Sequence, residues 1–226
     1  FDFIVNRSVT VRDFTGRFVQ KSFYINQDYA RIRGLEVGFY KRIGAWFQGS
    51  LTGSYTLATG KSNSAYESLL QIQQSGRTFT TSERPLAWDR PLDLKLLGIF
   101  TPDSSIRWAR NFRVFVSATF KSGFRYTPYV FDANDEASGR PRYVIDDTRP
   151  FEKIGAPWFW MDIRITRDFH FGASRRFFLS AFVGVENIFN NKNTTIINPI
   201  TGRGWEPGDP VPDSYRDPAY PHPLDY

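Results

Sequence analysis

The chain contains no cysteine, only two histidines and one methionine among its 226 residues. Without cysteine, a disulfide framework, a thiolate zinc site and a cysteine nucleophile are all excluded. The two histidines, His170 and His222, lie far apart in the sequence, and no serine stands in a nucleophile setting. A hydrolytic triad is therefore not expected. The sequence predicts a protein that is not an enzyme and that carries no cofactor.

Long apolar runs are also missing. No window of about 18 consecutive apolar residues is present, which excludes a membrane-spanning helix, and no signal peptide is recognisable. The chain begins at Phe1, without a methionine, inside the apolar run FDFIV. We therefore expect it to be a piece of a longer polypeptide.

Clustered positive charge is a third absence. The chain has 29 Lys and Arg against 23 Asp and Glu, a net charge of +6, and basic domains often neutralise nucleic-acid phosphates. Here the cations are scattered singly, and the pairs Lys41-Arg42 and Arg175-Arg176 fall at apparent turns. No nucleic-acid partner is expected.

What the sequence has in abundance is aromatic side chains, at 17%, and alternation of apolar with polar residues. In AWFQGSLTGSYTLA one face carries Phe47, Gly49, Leu51, Gly53, Tyr55 and Leu57. Period-two alternation is typical of a strand with two different faces. It recurs in GLEVGFYK, RPLDLKLLGIF, FRVFVSATFKSGF, WFWMDIRITRDFHF and FFLSAFVGV, and FDFIV resembles the end of a seventh strand. The alternation predicts an all-β, antiparallel fold.

The connections distinguish between a soluble β-sandwich and a membrane barrel, both of which bury one face. Shorter and long connections alternate along the chain. The shorter ones are the turns at 42–44 and 172–175 and a medium connection at 101–111, and the long ones are at 60–84, 129–157 and from 191 onward. All long connections are then at one end of the strands, as in outer-membrane barrels, where short turns are periplasmic and long loops extracellular. Strands of about ten residues tilted near 45° also match an apolar band of about 25 Å.

The two faces of these strands give two sets of candidate residues. Those expected to line a wet lumen are Glu36, Asp93, Lys95, Lys121, Asp162, Arg164 and Glu186. Those expected to face lipid are Leu51, Leu94, Val116, Ile163 and Val183. In a soluble sandwich the first set would be the solvated face. We expect Glu36 and Glu186 to form ion pairs with neighbouring Lys or Arg residues.

Three segments resemble a known family. They are YINQDYARIRGLEVGFYKRIGAWFQGSLTGSYTLATGKS, RPLAWDRPLDLKLLGIF and VGVENIFNNKNTTIINPITGR. The Gly-x-Glu strand at Gly34 and Glu36, the Y-T-x-A strand at 55–58 and the N-x-F-N segment ending at Asn190 follow the order of motifs in TonB-dependent outer-membrane receptors. The chain resembles the C-terminal part of their β-barrel.

The resemblance implies a barrel of about 22 strands that encloses an N-terminal plug. Such receptors import siderophores, cobalamin, glycans or similar scarce nutrients across the bacterial outer membrane, driven by a TonB-type energy-coupling protein. Residues 1–226 would be one partial β-barrel domain of about seven strands, without the plug domain and the final strand. Its partners would be outer-membrane lipid, the remaining strands and plug, and a surface lipoprotein or neighbouring subunit.

Two alternatives remain open for the function. A passive porin or a structural outer-membrane barrel would show the same strand pattern, and so would a soluble β-sandwich that binds carbohydrate. In the loops, Asp132, Asp135 and Glu136 of DANDE are oxygen ligands of the kind that calcium prefers, but they lack the EF-hand spacing. We therefore predict no metal site. The segment RPLAWDRP is predicted to be the descending base of a long loop, rigid at both ends.

The predicted register is tested by comparing Val183→Arg with Ser180→Arg. An arginine on a lipid face near the bilayer midplane costs about 2–4 kcal/mol, whereas a change on the lumen face is milder. The measurement is the free energy of unfolding in denaturant from lipid vesicles. Equal losses at the two positions would contradict the register.

Overall fold

The fold is all-β with antiparallel pairing, which confirms the predicted class. The computed structural model describes residues 2–42, 44, 46–61, 83–102, 106, 108–136, 139–171, 177–212 and 215, with the backbone alone for 2–8 and 23–28. The turn predicted at 172–175, most of the connection at 60–84 and His222 lie outside the described residues.

The described residues form strands that we number in chain order. Their bounds are β1 Asp2–Arg12, β2 Phe18–Lys41, β3 Phe47–Gly60, β4 Arg84–Pro85, β5 Leu92–Phe100, β6 Phe112–Lys121, β7 Arg125–Tyr126, β8 Tyr129–Asn134, β9 Pro141–Ile145, β10 Lys153–Ile154, β11 Trp158–Phe171 and β12 Phe177–Val185. Each of the six long segments with alternating residues contains or lies within one strand, in the order β2, β3, β5, β6, β11 and β12.

The long strands make one meandering antiparallel sheet. Its order is β1-β2-β3-β5-β6-β11-β12, with the two-residue β4 paired to the end of β3. Residues 42–46, 101–111 and 172–176 join strands at one end of the sheet, which we call the short-connection end. Residues 61–91 and 122–157 join strands at the other, the long-connection end. The separation of long from short connections is therefore as predicted.

The register gives the sheet two chemically different faces. Leu51 pairs with Phe39 and Leu96, Leu94 pairs with Phe120, and the row continues through Val116, Ile163 and Val185. We call this the apolar face. Every predicted lipid-facing residue lies on it: Leu51, Leu94, Val116, Ile163 and Val183.

No second layer of the described chain covers the apolar face. Leu51 is 45% exposed, Leu94 38% and Val183 68%. The fully buried apolar residues within the described part of the chain are Ala30, Ala58, Leu86 and Ala109. With so small a core, the sheet is held mainly by its backbone ladders, and the large side chains of this face need a covering that the described residues do not supply.

Strand β2 is longer than the sequence pattern predicts. Its 24 residues span roughly 80 Å at about 3.3 Å per residue. Residues 30–41 pair with β3, whereas 18–29 pair with β1 on the opposite edge. The β1–β2 hairpin therefore projects from the long-connection end. Its turn is closed by Asp13, whose carboxylate accepts hydrogen bonds from Thr15 and from the Arg17 amide at 2.9 Å, and these lower the pKa of Asp13, with the Thr15 hydroxyl as the largest cause.

The connection between β6 and β11 contains short paired strands. Strands β8 and β9 form a hairpin, and β7 pairs with β10. Gly123 lies against the carbonyl of Gly155, so closely that a Cβ at position 123 would be 2.1 Å from that oxygen. The absence of a side chain at this position permits the two segments to pack.

Asparagines continue the β11 ladder where β12 ends. After Val185, the amide of Asn187 donates to Asp162 at 2.9 Å, and that of Ile188 donates to the Met161 carbonyl at 2.9 Å. Asn193 then uses its side-chain amide like a strand residue, accepting from the Phe159 N–H at 2.9 Å and donating to the Phe159 carbonyl at 3.1 Å. Asn191 also donates to the Phe159 carbonyl, at 3.2 Å, so side chains satisfy the backbone groups of β11 beyond the end of β12.

Among the helical segments of the described residues, none is long and apolar enough to cross a membrane.

The Asn193 contact predicts a measurable loss of stability. Asn193→Ala removes both hydrogen bonds to Phe159 and should cost about 1–3 kcal/mol. Its neighbour Lys192 is exposed, so Lys192→Ala should change stability by no more than about 0.5 kcal/mol. The test is denaturant unfolding of the two variants in the same detergent, and equal stabilities would refute a ladder role for Asn193.

Candidate functional site: the polar face and its long-connection end

The second face of the sheet brings the predicted lumen residues together. Glu36 pairs with Ser54, Ser54 with Asp93, and Asp93 with Lys121, so these side chains form one row across β2, β3, β5 and β6. The remaining strand residues of the set, which are Lys95, Asp162 and Arg164, share this face through their own pairs. Glu186 directly follows the end of β12. We call this surface the polar face.

Asp93 is the centre of charge on this face. Its Oδ2 lies 3.5 Å from the Lys121 ammonium and 3.8 Å from that of Lys95. A shallow depression of about 380 Å³ adjoins the group and is lined in part by Glu36, Tyr40 and Asp93. Opposite charges this exposed give little stability, but they provide a hydrated surface with both donors and acceptors.

The expected ion pairs of Glu36 and Glu186 are not formed. Within the described residues, neither carboxylate has a Lys or Arg within ion-pair distance. Glu36 lies opposite Ser54 and the lysines of the face contact Asp93 instead. The sequence pattern assigned the correct face to Glu36 but not its partner, because the partner depends on the neighbouring strand.

Near the short-connection end the polar face carries an apolar patch, which the alternation did not predict. Leu97 and Ile99 are 45% and 37% exposed, and Phe178 and Phe182 are 68% and 61% exposed. Phe115 pairs with Ile99 and links the two halves of this patch. We define the lumenal patch, named after the lumen that the sequence predicts, as Leu97, Ile99, Phe115, Phe178 and Phe182.

Two arginines lie among the lumenal patch residues. The Arg164 guanidinium stacks 3.9 Å from the Phe182 ring centre, and Arg113 is paired with Asp168 at 2.9 Å. They line a depression of about 340 Å³ together with Ile99 and Phe115. Exposed apolar side chains interspersed with arginine are typical of a protein contact surface.

At the long-connection end, Asp89 completes the ladder of β3. Residues 86–91 lie opposite only 56–58, since β4 pairs with Thr59 and Gly60 and β5 resumes opposite Tyr55. Within this large bulge the Ala58 amide donates to the Asp89 carboxylate at 2.9 Å, and the Thr56 amide donates to the Pro91 carbonyl at 2.8 Å. Leu86 is fully buried beside Ala30 and Ala58.

The same carboxylate joins this bulge to the segment after β6. The Arg125 Nε donates to Asp89 Oδ2 at 2.6 Å, and the two side chains are only 12% and 1% exposed. Arg90 donates from Nε to the Ser122 carbonyl at 2.9 Å and lies 4.3 Å from the ring centres of both Phe124 and Trp158. Burial between the rings lowers the pKa of Arg90, although nearby Asp93 opposes this.

Asp89 and Arg125 were missed as a pair by sequence reasoning. The segment RPLAWDRP was predicted to be rigid at both ends, and its hydrogen bonds to Ala58 and Ser122 agree with a fixed loop base. In the sequence, Asp89 is visible only as an acidic residue between Trp88 and Arg90, in a segment bounded by prolines. Nothing in that signal identifies Arg125, which lies 36 positions away.

The final described loop is held together by Asn198 and is joined to the segment before β11 through Gly202. This residue is fully buried, and its side chain accepts from the Ile200 amide at 2.9 Å and donates to the Pro210 carbonyl at 3.1 Å. The Gly202 carbonyl accepts from the Ala156 amide at 2.8 Å. The loop thus has a fixed base at the end of the sheet where the other long connections meet.

The acidic residues of DANDE do not form a calcium site. Asp132 is paired with Arg142 across the β8–β9 hairpin, and Asp135 closes that hairpin through its backbone bonds to Gly139 and Arg140. Across the described part of the chain, no three acidic or histidine side chains gather as a metal site would require. His170 lies at the short-connection end of β11, with its ring centre 6.2 Å from that of Phe178.

Comparison with protein-family models, with curated proteins and with solved structures finds no match to this chain.

Replacing Asp89 should affect stability far more than breaking an exposed pair. Asp89→Ala leaves Arg125 buried without its carboxylate and should cost about 3–5 kcal/mol. Asp132→Ala, which breaks the exposed pair with Arg142, should cost about 0–1 kcal/mol. Denaturant unfolding of both variants provides the comparison.

A double variant separates the charge pair from general disruption. Asp89→Asn combined with Arg125→Met removes both charges while keeping an acceptor near Ala58, and it should be more stable than Asp89→Ala. If Asp89→Ala proved as mild as Asp132→Ala, the structural role assigned to Asp89 would be wrong.

Proposed function

We propose that this chain is part of the barrel wall of a TonB-dependent transporter in the bacterial outer membrane. The observation that carries the proposal is a sheet of strands of 9–14 residues whose apolar face no second layer of the described chain covers, so that its side chains are exposed or half-buried. Tilted strands of this length cover about 25 Å, the height of an outer-membrane apolar band. A hydrocarbon bilayer would cover that face.

The distribution of charge supports a lipid contact. Described side chains of the apolar face in β3, β5, β6 and β12, and in the part of β2 that pairs with β3, are uncharged across the middle of the sheet. The cations of this face lie towards its two edges. Arg31 and Arg33 are at the long-connection end of the β2–β3 pairing, and Lys41 and Arg167 are towards the short-connection end. Charge is costly at the bilayer midplane and mild near the interfaces, so this placement is the one that membrane insertion favours.

Aromatic residues support the same orientation. A row of phenylalanines runs across the apolar face at the short-connection end: Phe39, Phe47, Phe100, Phe112, Phe169, Phe171 and Phe177. Beside it, Lys41 lies 5.2 Å from the Trp46 ring centre, and Arg167 lies 4.8 Å from that of Phe112. Aromatic girdles with adjacent cations are typical of membrane interfaces.

The lumenal patch favours a plugged transporter over a passive porin. A water-filled pore would leave Leu97, Ile99, Phe178 and Phe182 in contact with water. A folded plug would bury them, and its carboxylates could pair with Arg164. We therefore propose that the polar face contacts water through its charged row and contacts protein through the lumenal patch.

In this proposal the protein moves a scarce nutrient without making or breaking a covalent bond. Loops at the long-connection end would bind the nutrient, and a TonB-type protein would supply the energy by acting on the plug. A surface lipoprotein or neighbouring subunit could contact the same loops. The soluble carbohydrate-binding sandwich is less favoured, because a sandwich packs a second sheet on its apolar face.

The proposal is tested by spin labels on introduced cysteines, which have no competing thiol within residues 1–226. Single Cys variants at Leu51 and Val183 on the apolar face, and at Thr52 and Leu97 on the polar face, would carry a nitroxide in the full-length protein in lipid vesicles. We expect Leu51 and Val183 labels to be relaxed by oxygen, which partitions into lipid. The Thr52 label should be relaxed by a water-soluble nickel chelate, and the Leu97 label by neither reagent.

Each alternative predicts a different pattern. A porin would expose the Leu97 label to the nickel chelate. If the chain were a soluble sandwich, it would stay monomeric without detergent, and no label would show the oxygen relaxation that is typical of lipid. Either pattern would refute the plugged-transporter proposal.

A further inference from the structure

A cationic cluster lies at the long-connection end of the apolar face. Arg31 and Arg33 are exposed residues of β2, and Lys61 follows β3 on the adjoining strand. Arg31 and Lys61 lie 5.8 Å and 5.7 Å from the ring centre of Tyr29. We define the rim cluster as Tyr29, Arg31, Arg33, Lys61 and the adjacent Glu83.

Glu83 is already engaged by its neighbours. Its carboxylate accepts from the Thr59 hydroxyl and from the Tyr29 hydroxyl at 3.4 Å, and it lies 3.8 Å from the Arg31 guanidinium. These contacts, with the Thr59 hydroxyl the largest, lower the pKa of Glu83. The rim cluster thus holds three cations and one carboxylate, and only Arg31 is within ion-pair distance of that carboxylate. Among the described residues, Arg33 and Lys61 have no carboxylate within ion-pair distance.

The rim cluster borders the surface proposed to contact lipid. Arg31 pairs with Thr59 and Arg33 with Leu57, while the next residue on this face of β2, Leu35, pairs with Tyr55. Leu35, Tyr55 and Leu57 are all exposed. The cations are therefore the first charged groups beyond the apolar side chains, at the depth where lipid headgroups would lie.

We propose that the rim cluster binds the phosphate groups of lipid headgroups in the leaflet at the long-connection end. This inference rests on the proposed membrane location. Arginine matches phosphate with two parallel hydrogen bonds, and the excess positive charge of the cluster is complementary to a phosphorylated lipid. An acyl chain attached to the same headgroup would lie along Leu35 and Leu57, which adds apolar contact that free phosphate lacks.

The test uses the full-length protein in phosphatidylcholine nanodiscs that contain either diphosphorylated lipid A or its dephosphorylated form. Lipid retained on the protein is measured by native mass spectrometry. The test variant combines Arg31→Gln, Arg33→Gln and Lys61→Gln. The control combines Arg12→Gln, Arg17→Gln and Lys21→Gln, which removes the same charge from the β1–β2 hairpin, away from the rim.

We expect the native protein to retain the diphosphorylated lipid in preference to the dephosphorylated one. With each cation near an anionic headgroup contributing about fivefold, the rim variant should lose at least about tenfold in lipid affinity and the control less than about threefold. Restoring Arg31 and Arg33 as lysines should recover only part of the loss, because lysine lacks the two-pronged geometry.

The outcomes separate this inference from the proposed function. A rim variant that inserts in the nanodisc and retains lipid like the native protein would overturn the inference alone. Displacement of the lipid by millimolar inorganic phosphate would also overturn it, in favour of a site for free phosphate, and so would tighter binding of an acidic peptide. A chain that stays soluble without detergent would overturn the proposed function as well.

Discussion

The structure depends on satisfying strand backbone groups where neighbouring strands stop. A strand end without a partner leaves N–H and C=O groups whose burial is costly, and here side chains replace the missing strand. Asp89 accepts the Ala58 amide inside the six-residue bulge, and Asn193 both accepts from and donates to Phe159. Because these side chains take the place of a neighbouring strand, the backbone hydrogen bonds of the sheet continue where the long loops begin. The bases of the loops are therefore fixed and lie close together.

The two faces of the sheet differ in how uniform their surface chemistry is. The apolar face is uniform in chemistry across β3, β5, β6, β11 and β12, which suits a solvent such as lipid that makes no specific contacts. The polar face is divided into a charged row around Asp93 and the lumenal patch near Phe182. A surface divided in this way suits a structured partner in one half and water in the other, because each half would be poorly matched to the opposite environment.

Much of the fold could be predicted from local pattern. Alternation identified six strands and the face of each candidate residue, because side chains of a strand alternate whatever the strand pairs with. It could not predict the extension of β2 back to Phe18, since residues around Asn26 and Asp28 interrupt the pattern and pairing with β1 alone keeps them extended. The Asp89–Arg125 pair and the lumenal patch depend on long-range register, which alternation does not contain.

The bulge at Asp89 has a consequence for how the sheet selects its pairing. Sliding one strand past another by two residues restores every side chain to its former face, so alternation cannot discriminate between such alignments. Only one of them brings the Asp89 carboxylate to the Ala58 amide and to Arg125 at the same time. A single buried carboxylate therefore fixes the register of β3 against β5, which the repeating side-chain pattern leaves open.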